Sequence, residues 1–182
     1  MLDFENYPII PAVRTDADLD CALSSDVEAI FLIASDIMTV ADVAKRTHEH
    51  GKLLFVHMDF TEGLSKDASG VHYLAAMGID GVISTRSGVI AAAKKLGVTC
   101  IQRFFMVDSR SVDTALDSIR HLSPDMIEIM PAIAYKSISH IRNHTRIPII
   151  AGGLIDSKDE IFSALGAGAT MVSTGRHELW SV

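Results

Sequence analysis

The chain is poor in the features that several functional classes require. No apolar run approaches the ~18 residues of a membrane-crossing helix, and the MLDFENYP start is acidic, without a signal peptide's basic and apolar regions. Cysteine is reduced to Cys21 and Cys100, too few for a disulfide framework. Cys100 sits in an apolar run, so free, mostly buried thiols in a reducing compartment are expected. The eight histidines form no metal-spaced cluster with cysteine or carboxylates; His48, His50, His121, His140 and His144 fall on or just after predicted helices. None of the seven lysines ends a strand run, which leaves a Schiff-base aldolase without its nucleophile. There is no linker and no low-complexity stretch. These absences predict a single cytoplasmic domain over residues 1–182, with no metal, cofactor or membrane association.

What the chain does have is regular alternation. Apolar runs at residues 9–13, 29–33, 53–57, 81–84, 99–105, 126–130, 148–151 and 170–173 alternate with helical patterns. Asp16 and Asp18 open the first helix, Thr39 and Asp42 the second, and Ser157 with Glu160 forms a capping box on the seventh. Helices stop at Gly51, Gly78, Gly97 and Gly166, while Pro124 and Pro148 open later strands. Near-continuous apolar strands separated by helices mean a covered parallel sheet. Eight units predict a compact (β/α)8 barrel of the TIM type, with an open flavodoxin-like sheet as the fallback. At 182 residues the chain is short for that barrel, which usually takes about 250. The loops must be tight or one unit degenerate.

The last two runs, RIPIIAGGL from Arg146 to Leu154 and ATMVSTGR from Ala169 to Arg176, both end in glycine. Loops after the seventh and eighth barrel strands commonly hold a phosphate on backbone N–H groups. Gly152, Gly153 and Gly175 permit close approach, and Ser173 and Thr174 add hydroxyls. The VISTR segment ending at Arg86 echoes MVSTGR; the serines stand 173 − 84 = 89 residues apart, near half the chain, as coincidence or a duplicated half-barrel would leave them.

Charged residues inside apolar runs mark the remaining candidates. Arg103 and Glu128 should pair inside the barrel, either to fix register or to shape a ligand pocket. By the period of two, His57 and Asp59 share a face; the plain alternative for His57 is a core histidine bonded to a backbone carbonyl. The segment Met58–Asp67 reads as the longest irregular loop on that face, with Gly63 as a hinge and Lys66 able to reach an anion. Net charge is −7, yet Lys45, Arg46, Lys94, Lys95, Arg142 and Arg146 collect at helix C-termini, on the face opposite the phosphate loops. Helix-dipole complementation alone produces such a pattern.

Six segments together resemble the glycerol uptake operon antiterminator family: YPIIPAVR ending at Arg14, HMDFTEG from His57 to Gly63, ISTRSG to Gly88, IQRFF to Phe105 with Asp108 and Ser109, PDMIEIMP to Pro131, and IAGGL to Leu154. The resemblance spans nearly the whole chain. It implies a TIM-barrel regulator that senses glycerol 3-phosphate and binds leader mRNA of glycerol-catabolism genes to prevent termination at an inverted repeat, without catalysis. The competing class is a TIM-barrel enzyme (isomerase, lyase or hydrolase) on a small phosphorylated sugar or triose, with Asp59, His57 or Glu128 as general base. The expected ligand contacts are Arg14, His57, Asp59, Lys66, Arg86, Arg103, Glu128, Gly152, Gly153, Ser173, Thr174 and Gly175. RNA is expected on the six basic residues of the opposite face, with a homodimer matching the inverted repeat.

Overall fold

A computed structural model describes residues 8–181 of the chain; the acidic start at residues 1–7 lies outside the described residues. The elements run β1 (Ile9–Val13), α1 (Asp16–Leu23), β2 (Ala29–Leu32), β3 (Ser35–Asp36), α2 (Val40–Glu49), β4 (Leu53–His57), β5 (Thr61–Glu62), α3 (Ala68–Ala76), β6 (Gly81–Ser84), α4 (Ser87–Leu96), β7 (Thr99–Phe105), α5 (Ser109–Leu122), β8 (Met126–Met130), α6 (Tyr135–Arg142), β9 (Ile149–Gly152), α7 (Lys158–Gly166) and β10 (Met171–Thr174). Eight all-parallel strands close in the order β1-β2-β4-β6-β7-β8-β9-β10, with β10 returning to β1. This is the (β/α)8 barrel. After β10 the described residues hold a single 3-10 turn, His177–Leu179.

The strands are apolar on both sides because both sides are buried. Alternate residues Ile10, Ala12, Phe31, Phe55, Ile83, Ile101, Ile150 and Met171 fill the interior. The residues between them, such as Ile30, Leu54, Val82, Ile127 and Val172, pack under the helices. The rings of Phe31 and Phe55 meet edge to face at 5.8 Å. Fully burying a side chain the size of Phe31 contributes about 1.5–3 kcal/mol.

Four helices start on side-chain caps from the loops at the strands' C-terminal ends. Thr15 with Asp18, Asp108 with Ser111 and Ser157 with Glu160 form capping boxes, and Asp67 accepts from Ser69 and Gly70 N–H. These carboxylates satisfy helix ends, which accounts for acidic residues around the barrel mouth. At the opposite end the buried Lys52 ammonium donates to Ser25 O (2.5 Å) and Val27 O (2.8 Å).

Several expectations need correction. Cys21 is exposed, and only Cys100 is buried; burial pushes the Cys100 thiol up to about 11. Residues 58–67 are irregular only in part: a 3-10 turn, Met58–Phe60, leads into β5, which pairs with β3, and residues 63–67 form no regular element. Because that turn begins directly after His57, the strand's period of two does not extend to Asp59. The serine echo is also out of register. Ser84 pairs with Gln102, one residue off the Ile83 and Ile101 interior row, whereas Ser173 faces inward onto Glu128. The equivalent positions are 90 apart: 174 − 84 and 176 − 86. Ser84 Oγ accepts from Arg86 N–H and Thr174 Oγ1 from Arg176 N–H, both at 3.1 Å.

Candidate functional site

The mouth of the barrel holds a cavity of about 380 Å³ bordered by the loops after β1, β9 and β10. Its floor is the Arg103–Glu128 pair, directly opposite in register on β7 and β8. Arg103 Nε donates to Glu128 Oε2 at 2.6 Å, and Ser173 Oγ donates to Glu128 Oε1 at 2.8 Å. Gly152 is required here: a Cβ would stand 2.5 Å from Glu128 Oε1 and 2.6 Å from Ser173 Oγ. Glu128 is thus spent on the floor, while Arg103 still lines the cavity.

The wall is backbone. Gly153 and Leu154 follow one another in the left-handed region, at φ 77° and φ 57°. That conformation is easy for glycine and costs a leucine roughly 1–2 kcal/mol. The strain turns the chain so that the Leu154 and Ile155 N–H groups, with that of Gly175, donate to no acceptor among the described residues. Successive free N–H groups of this kind form an anion-binding concavity. Leu154 is 63% exposed, so side-chain burial does not explain its conformation.

Charge agrees with the backbone. Arg176 Nε donates to Asp156 Oδ1 at 2.7 Å, so that pair is neutral, as is Arg103–Glu128. Arg14, the remaining cation of the lining, makes no ion pair among the described residues, and its Nη1 lies 3.3 Å from where a Gly175 Cβ would stand. The cavity therefore carries a net positive charge suited to a phosphomonoester. Thr174 lines the cavity with its hydroxyl turned to Ile155 O at 3.1 Å.

Five of the expected ligand contacts do not line the cavity: Gly152 packs against Glu128 and Ser173, and the other four lie elsewhere. His57, Asp59, Lys66 and Arg86 do not line this cavity and gather at the loops after β4 and β6. Asp59 accepts from Ser84 Oγ (2.6 Å), Thr85 N–H (2.8 Å) and Thr85 Oγ1 (2.9 Å), with Arg86 Nε 3.6 Å away. Burial works against its ionisation, but those donors outweigh burial and hold the carboxyl below its usual range. Lys66 is tied to Thr61 O, and burial lowers its pKa.

His57 is 1% exposed, its ring tilted against that of Phe60 at 4.6 Å, and neither ring nitrogen has a hydrogen-bond partner among the described residues. It is not the carbonyl-bonded core histidine expected. Burial first, and the nearby Arg103 charge second, push it down to about 4. A neutral imidazole is the cheaper form to bury.

On the opposite face, Arg46 is bonded to Asp20 (2.5 Å), Lys94 to Asp125 (2.8 Å), and Lys45 lies 3.9 Å from Glu49. Lys95, Arg142 and Arg146 make no ion pair among the described residues. The cavity residues not named from sequence are Ala12, Ile33, Met130, Leu154, Ile155, Asp156 and Arg176. The glycine doublet could have marked Leu154 and Ile155, whereas the Arg176–Asp156 pair has no signal in the linear chain. Among the described residues no group of three or more His, Cys, Asp or Glu side chains is placed to hold a metal, and no helix is long and apolar enough to cross a membrane.

Comparison with known proteins gives the family and the fold. Residues 9–180 match the profile of the glycerol-3-phosphate responsive antiterminators. The Escherichia coli (strain K12) protein YgcP is 32% identical over 176 residues, covering 96% of this chain and 92% of that one. The crystal structure of a glycerol uptake operon antiterminator regulatory protein from Listeria monocytogenes str. 4b F2365 superposes with TM-score 0.93 at 31% identity, covering 98% of this chain and 97% of that one. An antiterminator-related protein from Thermotoga maritima MSB8 gives TM-score 0.85 at 29% identity, covering 94% and 96%. Orotidine 5′-phosphate decarboxylase from Pyrococcus horikoshii OT3, at TM-score 0.73 and 18% identity, covers 92% of this chain and 89% of its own, and shares the barrel alone.

Proposed function

The chain belongs to the glycerol-3-phosphate responsive antiterminator family, and from that premise we propose that the mouth cavity takes glycerol 3-phosphate as an effector. The occupied protein then binds leader RNA of glycerol-catabolism genes and keeps transcription from terminating. The observation that carries the ligand half is the set of N–H groups at Leu154, Ile155 and Gly175 that have no acceptor among the described residues, beside Arg14, which makes no ion pair among them. The phosphate sits against those donors, and the glycerol end lies over Arg103 and Ser173.

The cavity is better suited to holding a ligand than to proton transfer. Glu128 is committed to Arg103 and Ser173, and Asp59 is committed to Ser84 and Thr85 outside the cavity. A general base must be within reach of the substrate's proton; Asp59 is outside the cavity, and each Glu128 oxygen already holds a donor from the protein. Calorimetry with glycerol 3-phosphate and with plain glycerol tests the ligand assignment. The phosphate should dominate affinity; equal binding of the two compounds would remove it. For the RNA, two copies of the chain matched to the arms of an inverted repeat is the stoichiometry to seek by sedimentation with the leader transcript.

A further inference from the structure

Two long stretches of this acidic chain contain no Asp or Glu, residues 81–107 and 131–155. In the first, carboxylates from other segments face most of the cations: Asp59 lies by Arg86, Asp125 binds Lys94 and Glu128 binds Arg103. In the second, Lys136, Arg142 and Arg146 are exposed and make no ion pair among the described residues. His140 and His144 stack between them, ring centroids 4.6 Å apart. Helix dipoles account for basic residues in the last turns of α2, α4, α5 and α6, but among the described residues only the stretch around α6 leaves its cations uncompensated as a group. Arg142 is also held in place. Gly168 leaves room for its stem, since a Cβ there would stand 2.9 Å from Arg142 Cγ, while the residue as a whole is exposed.

The same stretch ends in the ligand cradle. Ala132 N–H donates to Gly153 O at 3.1 Å, and Met130 Cε would lie 2.6 Å from a Cβ on Gly153. Ala134 N–H donates to Pro131 O at 3.0 Å and Ala134 is the N-cap of α6. The backbone that receives the anion is therefore bonded to the segment that starts α6; of the three cations, Lys136 stands in the first turn of α6, Arg142 is its last residue and Arg146 follows it.

We propose that the α6 wall, from Lys136 to Arg146, is the surface that grips the sugar–phosphate backbone of the leader RNA, and that ligand occupancy reaches it through the Gly153–Ala132 hydrogen bond. This rests on the RNA-binding reading above and adds the location and the route. Released counterions report phosphate contacts, so each contact steepens the fall of affinity with salt.

The test is fluorescence anisotropy of the leader transcript across a salt series, with and without glycerol 3-phosphate. Arg142→Gln with Arg146→Gln should flatten the log–log salt slope by roughly 0.7–0.9 per arginine and leave calorimetric binding of glycerol 3-phosphate unchanged. Lys45→Gln with Lys95→Gln should change neither. The reverse outcome, with only the lysine pair flattening the slope, overturns the surface. So does loss of self-association in the arginine variant with an unaltered slope per protomer, which makes the wall a contact between copies. A wild-type chain that binds no leader RNA under either condition overturns the RNA reading itself and the surface with it. For the route, hydrogen exchange should show added protection at residues 132–138 when glycerol 3-phosphate is present. Protection confined to residues 153–156 and 175–177 overturns the route.

Discussion

The loops after β4 and β6 and the loops after β9 and β10 are built on one pattern and end in opposite states. In each, a strand-end hydroxyl accepts from the N–H of the arginine two residues on, and that arginine faces an aspartate from the preceding barrel unit. The difference is the residue between. Thr85 N–H and Oγ1 both donate to Asp59, whereas Gly175 N–H has no acceptor among the described residues. One half of the barrel sets its own carboxylate against these donors, and in the other half no carboxylate among the described residues meets Gly175 N–H. The backbone scaffold alone therefore does not make a ligand site. What matters is whether a side chain of the protein already occupies it.

The largest effect should come from the floor of the open half. Arg103→Met leaves Glu128 buried and short of its charged partner, which costs about 3–5 kcal/mol. Denaturant melts of Arg103→Met and of Arg103→Met with Glu128→Gln separate charge from packing: the second change should recover much of the loss. A loss well below 1 kcal/mol would mean that the pair does not hold the floor.

The closed half has a buried group of its own, His57. Its folded pKa of about 4 lies below its ordinary 6.5, so the unfolded chain takes up the proton first. Its contribution is fully present above pH 6.5 and is lost as pH falls toward 4, to a total of about 3 kcal/mol. His57→Phe keeps a ring against Phe60 and should flatten the stability profile between those values relative to wild type. Parallel profiles would assign the acid sensitivity to carboxylates instead.

How much of this was legible in the sequence follows from what each feature depends on. The barrel was legible because buried parallel strands are continuous apolar runs, and their limits moved only by about a residue, as at β9 and β10. Arg103 and Glu128 were legible because a charge inside such a run has to be paired. Asp59 was misplaced because a 3-10 turn ends the alternation directly after His57. The division of candidates between two halves was not legible, because it depends on which loops reach the same cavity. Arg176 and Asp156 meet across 20 residues, a distance that no local pattern reports.

Gly153→Val tests the open half directly. The side chain fills the cradle, and affinity for glycerol 3-phosphate should fall at least about tenfold, or ~1.4 kcal/mol. Valine at a φ of 77° also strains the backbone by roughly 1–2 kcal/mol, so a melt must accompany the calorimetry. Unchanged affinity in a folded variant would remove the cradle.

The smallest effect is the most specific to the comparison. If Asp59 occupies the place of an anion, Asp59→Ala should free Thr85 N–H, Ser84 Oγ and the Arg86 guanidinium together. Inorganic phosphate should then bind at a second site, weakly, with Kd on the order of 1 mM, and its occupancy should shift the Thr85 and Arg86 amide resonances. Asp59→Asn is the control, because its amide oxygen can still accept from Thr85 while the carboxylate charge is gone. It should create no phosphate site. If Asp59→Ala also creates none, the likeness between the halves stops at the arginine hydrogen bonds, and the open half owes its anion position to the Gly153–Leu154 turn alone. If both variants gain a site, the carboxylate's charge excludes phosphate, and its occupation of Thr85 N–H does not.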